Sequence, residues 1–268
     1  MAPRMVVIGR NARQLGEDET HNLTHEEVRI LWSFVHGDIM NPGVRAQLYG
    51  YWGLCERHSW AYAVVEIELW ESGGGARGGH QPFDVSVLYA DLLARMRAEI
   101  TRAHRRHGQL RAITRSGVCV VCADIASEEP AEMAVTHAGM DLEKLTAEAN
   151  RMEHTKSWLD ETMRVWGPRV CPSCRRESVP EGEGQLCRMH LERILEQRAI
   201  DGAALTAYLE ELERSVRQLT DSMTQDGKLS SPEADASWVG ALAWFNNWTF
   251  PLRMTGGRER QADSDLAE

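Results

Sequence analysis

All six cysteines and two of the ten histidines fall into four short pairs: Cys55-Glu-Arg-His58, Cys119-Val-Val-Cys122, Cys171-Pro-Ser-Cys174 and Cys187-Arg-Met-His190. Each pair has the same two-residue gap. That gap lets two side chains reach one ion from a tight turn or a single helical face. Thiolate and imidazole are the ligands a tetrahedral zinc ion takes, four to a closed site. Four pairs supply enough ligands for two such sites, each of three cysteines and one histidine, with none left over. Pairing by proximity predicts a local knuckle of Cys171, Cys174, Cys187 and His190, with twelve residues between Cys174 and Cys187. It leaves Cys55, His58, Cys119 and Cys122 as a staple across about sixty residues.

The competing chemistry is redox, because a Cys-x-x-Cys pair can close a disulfide. The apolar stretch at the start of the chain is too short for an export signal, and no run reaches membrane-helix length. The expectation is therefore a cytoplasmic protein without a membrane association. In that compartment disulfides are rare and paired cysteines more often hold metal. Whether a zinc so held is purely structural or also a redox switch is left open by the sequence.

These pairs need helices to present them, and the pattern is all-α. Thr24 and Glu27 form a capping box ahead of a stripe of Val28, Leu31, Trp32 and Val35. Asn41-Pro42 opens the next helix. Another is expected from about Glu56 to Trp70, then a glycine-rich loop. Asp84 is the expected cap of a helix that Gly108 stops. Residues from Cys119 to Gly139 read as loop. One helix is expected from Asp141 to Trp166, and others after Cys187, over Asp201 to Met223, and after Ser231-Pro232. Residues 1–20 read as a disordered arm and 254–268 as a tail. Between them lie a region over 21–140 with the long-range site and one over 141–253 with the knuckle.

Both Cys-x-x-His pairs follow a leucine and precede an apolar helical stripe, like an internal duplication with the pair order reversed. The run Asn41-Pro42-Gly43-Val44-Arg45 to Gly53-Leu54-Cys55-Glu56-Arg57-His58 resembles an element of bacterial helical zinc-binding proteins of uncharacterised function. Those proteins pair Cys-x-x-Cys with Gly-[Leu/Phe]-Cys-x-x-His. The resemblance implies zinc and a helical fold, and no activity.

Other residues carry weaker signals. Arg95, Arg97, Arg102, Arg105, Arg106, Arg111 and Arg115 form a basic stretch that could meet phosphates, but the net charge of -10 disfavours a nucleic-acid partner. Nine tryptophans could line a pocket for a small molecule or protein partner, against the plainer reading of core packing. His21, His25 and His36 could hold a third metal. Glu66, Glu68 and Glu71 could act as acid or base, against the plainer reading of exposed helix glutamates. Gly73 to Gly79 lacks a P-loop's lysine, and no nucleophile elbow or His-Glu-x-x-His helix is present. The expectation is a zinc-stabilised binding protein, regulatory or sequestering, with an aromatic pocket for a small molecule or a protein partner. A zinc enzyme with an open metal position and a nucleic-acid regulator using residues 95–115 as a basic helix are the alternatives.

Overall fold

The computed structural model describes residues 22–72, 82–127, 141–175, 186–225 and 228–256. The expected N-terminal arm and glycine-rich loop, most of the C-terminal tail and most of the loop between Cys174 and Cys187 lie outside these residues. Among the described residues the structure is helical, with no strand. The helices are α1 (His25–Val35), α2 (Pro42–Tyr51), α3 (Glu56–Ser72), α4 (Phe83–Arg102), α5 (Arg106–Ile113), α6 (Val120–Ile125) and α7 (Leu142–Arg151). They continue as α8 (Glu153–Trp166), α9 (Pro172–Arg175), α10 (Arg188–Leu195), α11 (Gly202–Thr224), α12 (Pro232–Asp235), α13 (Ser237–Asn246) and α14 (Thr249–Thr255).

Two helices are buried on every side. In α3 each residue from His58 to Leu69 is buried, and so is all of α13. A helix buried all round is a core rod that other helices wrap. Around α3 pack α1, α4, α7, α8 and α13, while α13 also meets α10, α11 and α12. The long pair α4 and α11 runs side by side. Leu88, Leu92, Met96 and Ile100 on one and Leu205, Leu209, Leu212, Val216 and Leu219 on the other are all buried.

Core rods carry polar groups only where those groups are satisfied. Glu66 and Glu68 are therefore not exposed glutamates but buried caps for neighbouring helices. The Glu66 carboxylate accepts the amides of Asp84 at 2.6 Å and Val85 at 3.0 Å, at the start of α4. Asp84 is thus not the cap expected from sequence; the N-cap position is Pro82. Burial, with Asp84 nearby, pushes Glu66 up to about 8, against the pull of those amides. Glu68 accepts the amide and hydroxyl of Thr155, each at 2.7 Å, at the start of α8.

Arginine does the matching work at helix C-termini, where carbonyls are left without intrahelical donors. Arg188 is 3% exposed; it donates to the carbonyl of Ile113 closing α5 and to that of Phe245 near the end of α13. Arg106 donates to the carbonyls of Leu195 and Glu196 at the end of α10. One guanidinium fork can join two helix ends, which a lysine's point charge does less well.

Three sequence expectations are corrected. Residues 95–115 are not one helix: α4 ends at Arg102, and Gly108 sits inside α5 instead of stopping a helix. The stretch after Cys119 is not all loop, because α6 follows directly. The helix expected over 141–166 is two, broken at Met152, whose φ of 52° is left-handed. A non-glycine residue there gives no compositional warning of the break.

Candidate metal centres

The structure gathers the eight residues into two clusters: Cys55, His58, Cys119 and Cys122, and Cys171, Cys174, Cys187 and His190. In each, the ligand atoms lie within 4.8 Å of one another. Both clusters are built from two helix starts. Cys55 precedes α3 and His58 sits in its first turn, while Cys119 is the N-cap of α6 and Cys122 lies within it. Cys171 precedes α9, which contains Cys174; Cys187 is the N-cap of α10 and His190 lies in its first turn. The pair order is reversed between the two, but the construction is shared.

The spacing fits a tetrahedron. Bonds of about 2.3 Å to sulfur and about 2.0 Å to nitrogen imply edges of about 3.8 Å between sulfurs and about 3.5 Å between nitrogen and sulfur. The Sγ atoms of Cys55 and Cys122 are 3.8 Å apart, as are those of Cys174 and Cys187. His58 Nδ1 lies 3.3, 3.6 and 3.3 Å from Cys55, Cys119 and Cys122. His190 Nδ1 lies 3.4, 3.6 and 3.1 Å from Cys171, Cys174 and Cys187. A disulfide would need about 2.05 Å between sulfurs, and all six cysteines are free thiols.

The thiols of each cluster act strongly on one another. Hydrogen bonds from Cys122 and Cys55 pull the Cys119 thiol down while Cys119 and Cys55 push Cys122 up; in the second cluster Cys171 is pulled down while Cys174 and Cys187 are pushed up. Burial disfavours a charged His58, yet Cys119, Cys55 and Glu27 push it up to about 11. Three sulfurs and one nitrogen match zinc's preferences, and four protein ligands close the coordination shell.

The first centre has an outer layer that the sequence did not reveal. Glu27 accepts from His58 Nε2 at 3.0 Å, which fixes the ring so that Nδ1 faces the sulfurs. Arg57 in turn grips both Glu27 oxygens, at 2.6 and 2.9 Å. Burial works against ionised Glu27, but His58, Arg57 and the Thr24 amide hold it well below the usual carboxylate range. The capping box with Thr24 forms as expected, so one carboxylate caps α1 and braces the centre. Among the described residues His190 has no comparable carboxylate.

No protein-family model, no curated protein and no solved structure matches the chain. The geometry of its own residues therefore carries the functional reading.

The other candidates resolve differently. His25 and His36 are exposed, and His36 Nδ1 lies 2.9 Å from the Trp32 carbonyl. Neither belongs to a metal-holding group among the described residues, and His21 lies outside them. The side chains of Glu71 and Trp70 are likewise outside the description. Trp32, Trp52, Trp60, Trp166, Trp238, Trp244 and Trp248 are all core residues. Trp60 lines a predominantly apolar cavity of about 380 Å³ between α3, α14 and the break at Met152. Its ring stacks on Phe250 at 4.9 Å, and Leu23, Ala61 and Val64 complete the apolar wall. Cys55, Glu56, Arg57 and Arg253 also line it, so the cavity adjoins the first metal centre.

Proposed function

We propose that both clusters hold zinc, and that the folded chain is a cytoplasmic, non-catalytic binding protein taking a small apolar molecule in the cavity beside Trp60. The observation that carries this is the cavity itself. Its volume is in the range of small-molecule sites, which are mostly apolar with a few polar groups. Cysteines gathered at metal spacing support the cytoplasm. The spacing of three sulfurs and one nitrogen in each cluster supports the metal. A zinc enzyme is disfavoured because each cluster already offers four ligands, leaving no position for water. A nucleic-acid regulator using residues 95–115 as one basic helix is disfavoured too. Arg97 pairs with Glu213 at 3.1 Å, and Arg106 and Arg115 are bonded into the fold.

The test is titration of the metal-loaded protein with N-phenylnaphthylamine, an apolar fluorescent probe. Saturable binding of one probe per chain is expected, lost in Ala61→Phe, which fills the cavity, and kept in Val87→Ala on the exposed face of α4. Binding that survives Ala61→Phe unchanged would refute the site.

A further inference from the structure

Among the described residues many arginines are bonded into the fold or paired with acids, but one groove gathers more cations than acids. Between the end of α2, the end of α4 and α5 lies a groove of about 580 Å³ lined by Tyr49, Trp52, Arg95, Glu99, Arg102 and Arg111. It continues past Tyr49, Trp52 and Arg111 into a second hollow of about 520 Å³ that reaches His107 and Arg115. Arg95, Arg102, His107 and Arg111 are exposed. Glu99 is the one acid among the lining residues, and Arg102 holds it at 2.9 Å. Asp91, close by, is taken by Arg45 at 3.0 Å and by the Tyr49 hydroxyl at 2.6 Å. Among the described residues neither Arg95 nor Arg111 has an acidic partner.

The groove is also preformed. The Arg95 guanidinium lies 3.9 Å from the centre of the Tyr49 ring, which fixes its position. The Ser116 amide and hydroxyl both donate to the Gly50 carbonyl, at 3.0 and 2.8 Å, and hold the segment after α5 against α2. The sequence hid this arrangement because the basic stretch has no aromatic residue of its own. The aromatics come from α2, some fifty residues earlier.

We propose that this groove binds a small polyphosphate anion of the di- or triphosphate kind. Guanidinium forks match phosphate oxygens in geometry and charge. Several cations with one acid leave a surplus that a multiply charged anion neutralises. A nucleic-acid strand is the poorer fit. Bases need free aromatic faces to stack on, whereas Arg95 covers Tyr49 and Trp52 is buried.

The probe is inorganic tripolyphosphate, titrated calorimetrically into the full metal-loaded chain at low salt. Saturable binding is expected, weakening as salt rises. Arg111→Gln alone should weaken it about tenfold by removing one fork, and Arg95→Gln with Arg111→Gln should abolish it. Arg214→Gln, an exposed change on α11, should leave it unchanged. Metal content and helical circular dichroism confirm that each variant is folded. Arg111 is an exposed side chain, so its single variant decides the matter if the double variant does not fold. Absence of tripolyphosphate binding to the wild-type chain, or full affinity in Arg111→Gln, would overturn the proposal. So would a single-stranded oligonucleotide that binds where tripolyphosphate does not.

Discussion

Cys119→Ser should release one of the two metal ions and destabilise the protein more than any single change away from the two centres. Metal held by such a cluster counts as folding energy, with apparent values on the order of 10 kcal/mol in small zinc sites. The first centre also closes the longer loop. His58 and Cys119 are 61 residues apart in the chain, whereas Cys174 and Cys187 are 13 apart. That ratio is just over two doublings of loop length, so the constraint is worth roughly 1.3 kcal/mol more at the first centre. Cys174→Ser should therefore be severe but milder. The damage should also differ in place. The first centre pins α6 against the start of α3, and α6 packs on α1 and α2. Limited proteolysis of Cys119→Ser should cut around residues 114–127, and that of Cys174→Ser around 171–190. Identical cleavage patterns in the two variants would show that the centres do not have these separate roles.

Arg188→Ala should cost about 3–5 kcal/mol, since two buried carbonyls lose their donor at about 1–3 kcal/mol each and the stem leaves a gap. The bonds at stake are those to Ile113 at 3.0 Å and Phe245 at 3.1 Å, which tie α10 to α5 and α13. Burial and the nearby Arg115 lower Arg188 to about 10, so it remains charged near neutrality. Arg188→Lys should recover part of the loss, because a single ammonium serves both carbonyls less well than a fork. Denaturant unfolding of metal-loaded protein measures both variants. A loss below about 1 kcal/mol for Arg188→Ala, within reach of an ordinary substitution, would mean that this arginine does not join the helix ends.

The residues that gather at the two centres could be picked out from spacing alone, because a two-residue gap is a local property and ligand number limits the combinations. Most helices were legible for the same reason: Val28 to Val35 and Leu205 to Leu219 repeat at helical period, and Thr24, Asn41, Asp141, Asp201 and Ser231 cap as their side chains predict. What stayed hidden depends on distant partners. Glu27 reads as a cap, yet it also braces His58 thirty-one residues away. Glu66 and Glu68 read as solvent-facing because charge normally marks a surface; only the helix starts packed against α3 make them interior groups. The break at Met152 carries neither glycine nor proline. The tryptophans read as a possible pocket wall, but their size is used mainly to fill the core.

The most direct test of the central claim is elemental analysis of protein purified without chelator, joined to zinc-edge X-ray absorption. The account predicts two zinc ions per chain, with an average shell of three sulfurs at about 2.3 Å and one nitrogen at about 2.0 Å. Less than one zinc per chain, or a shell with fewer sulfurs and a bound water oxygen, would contradict it.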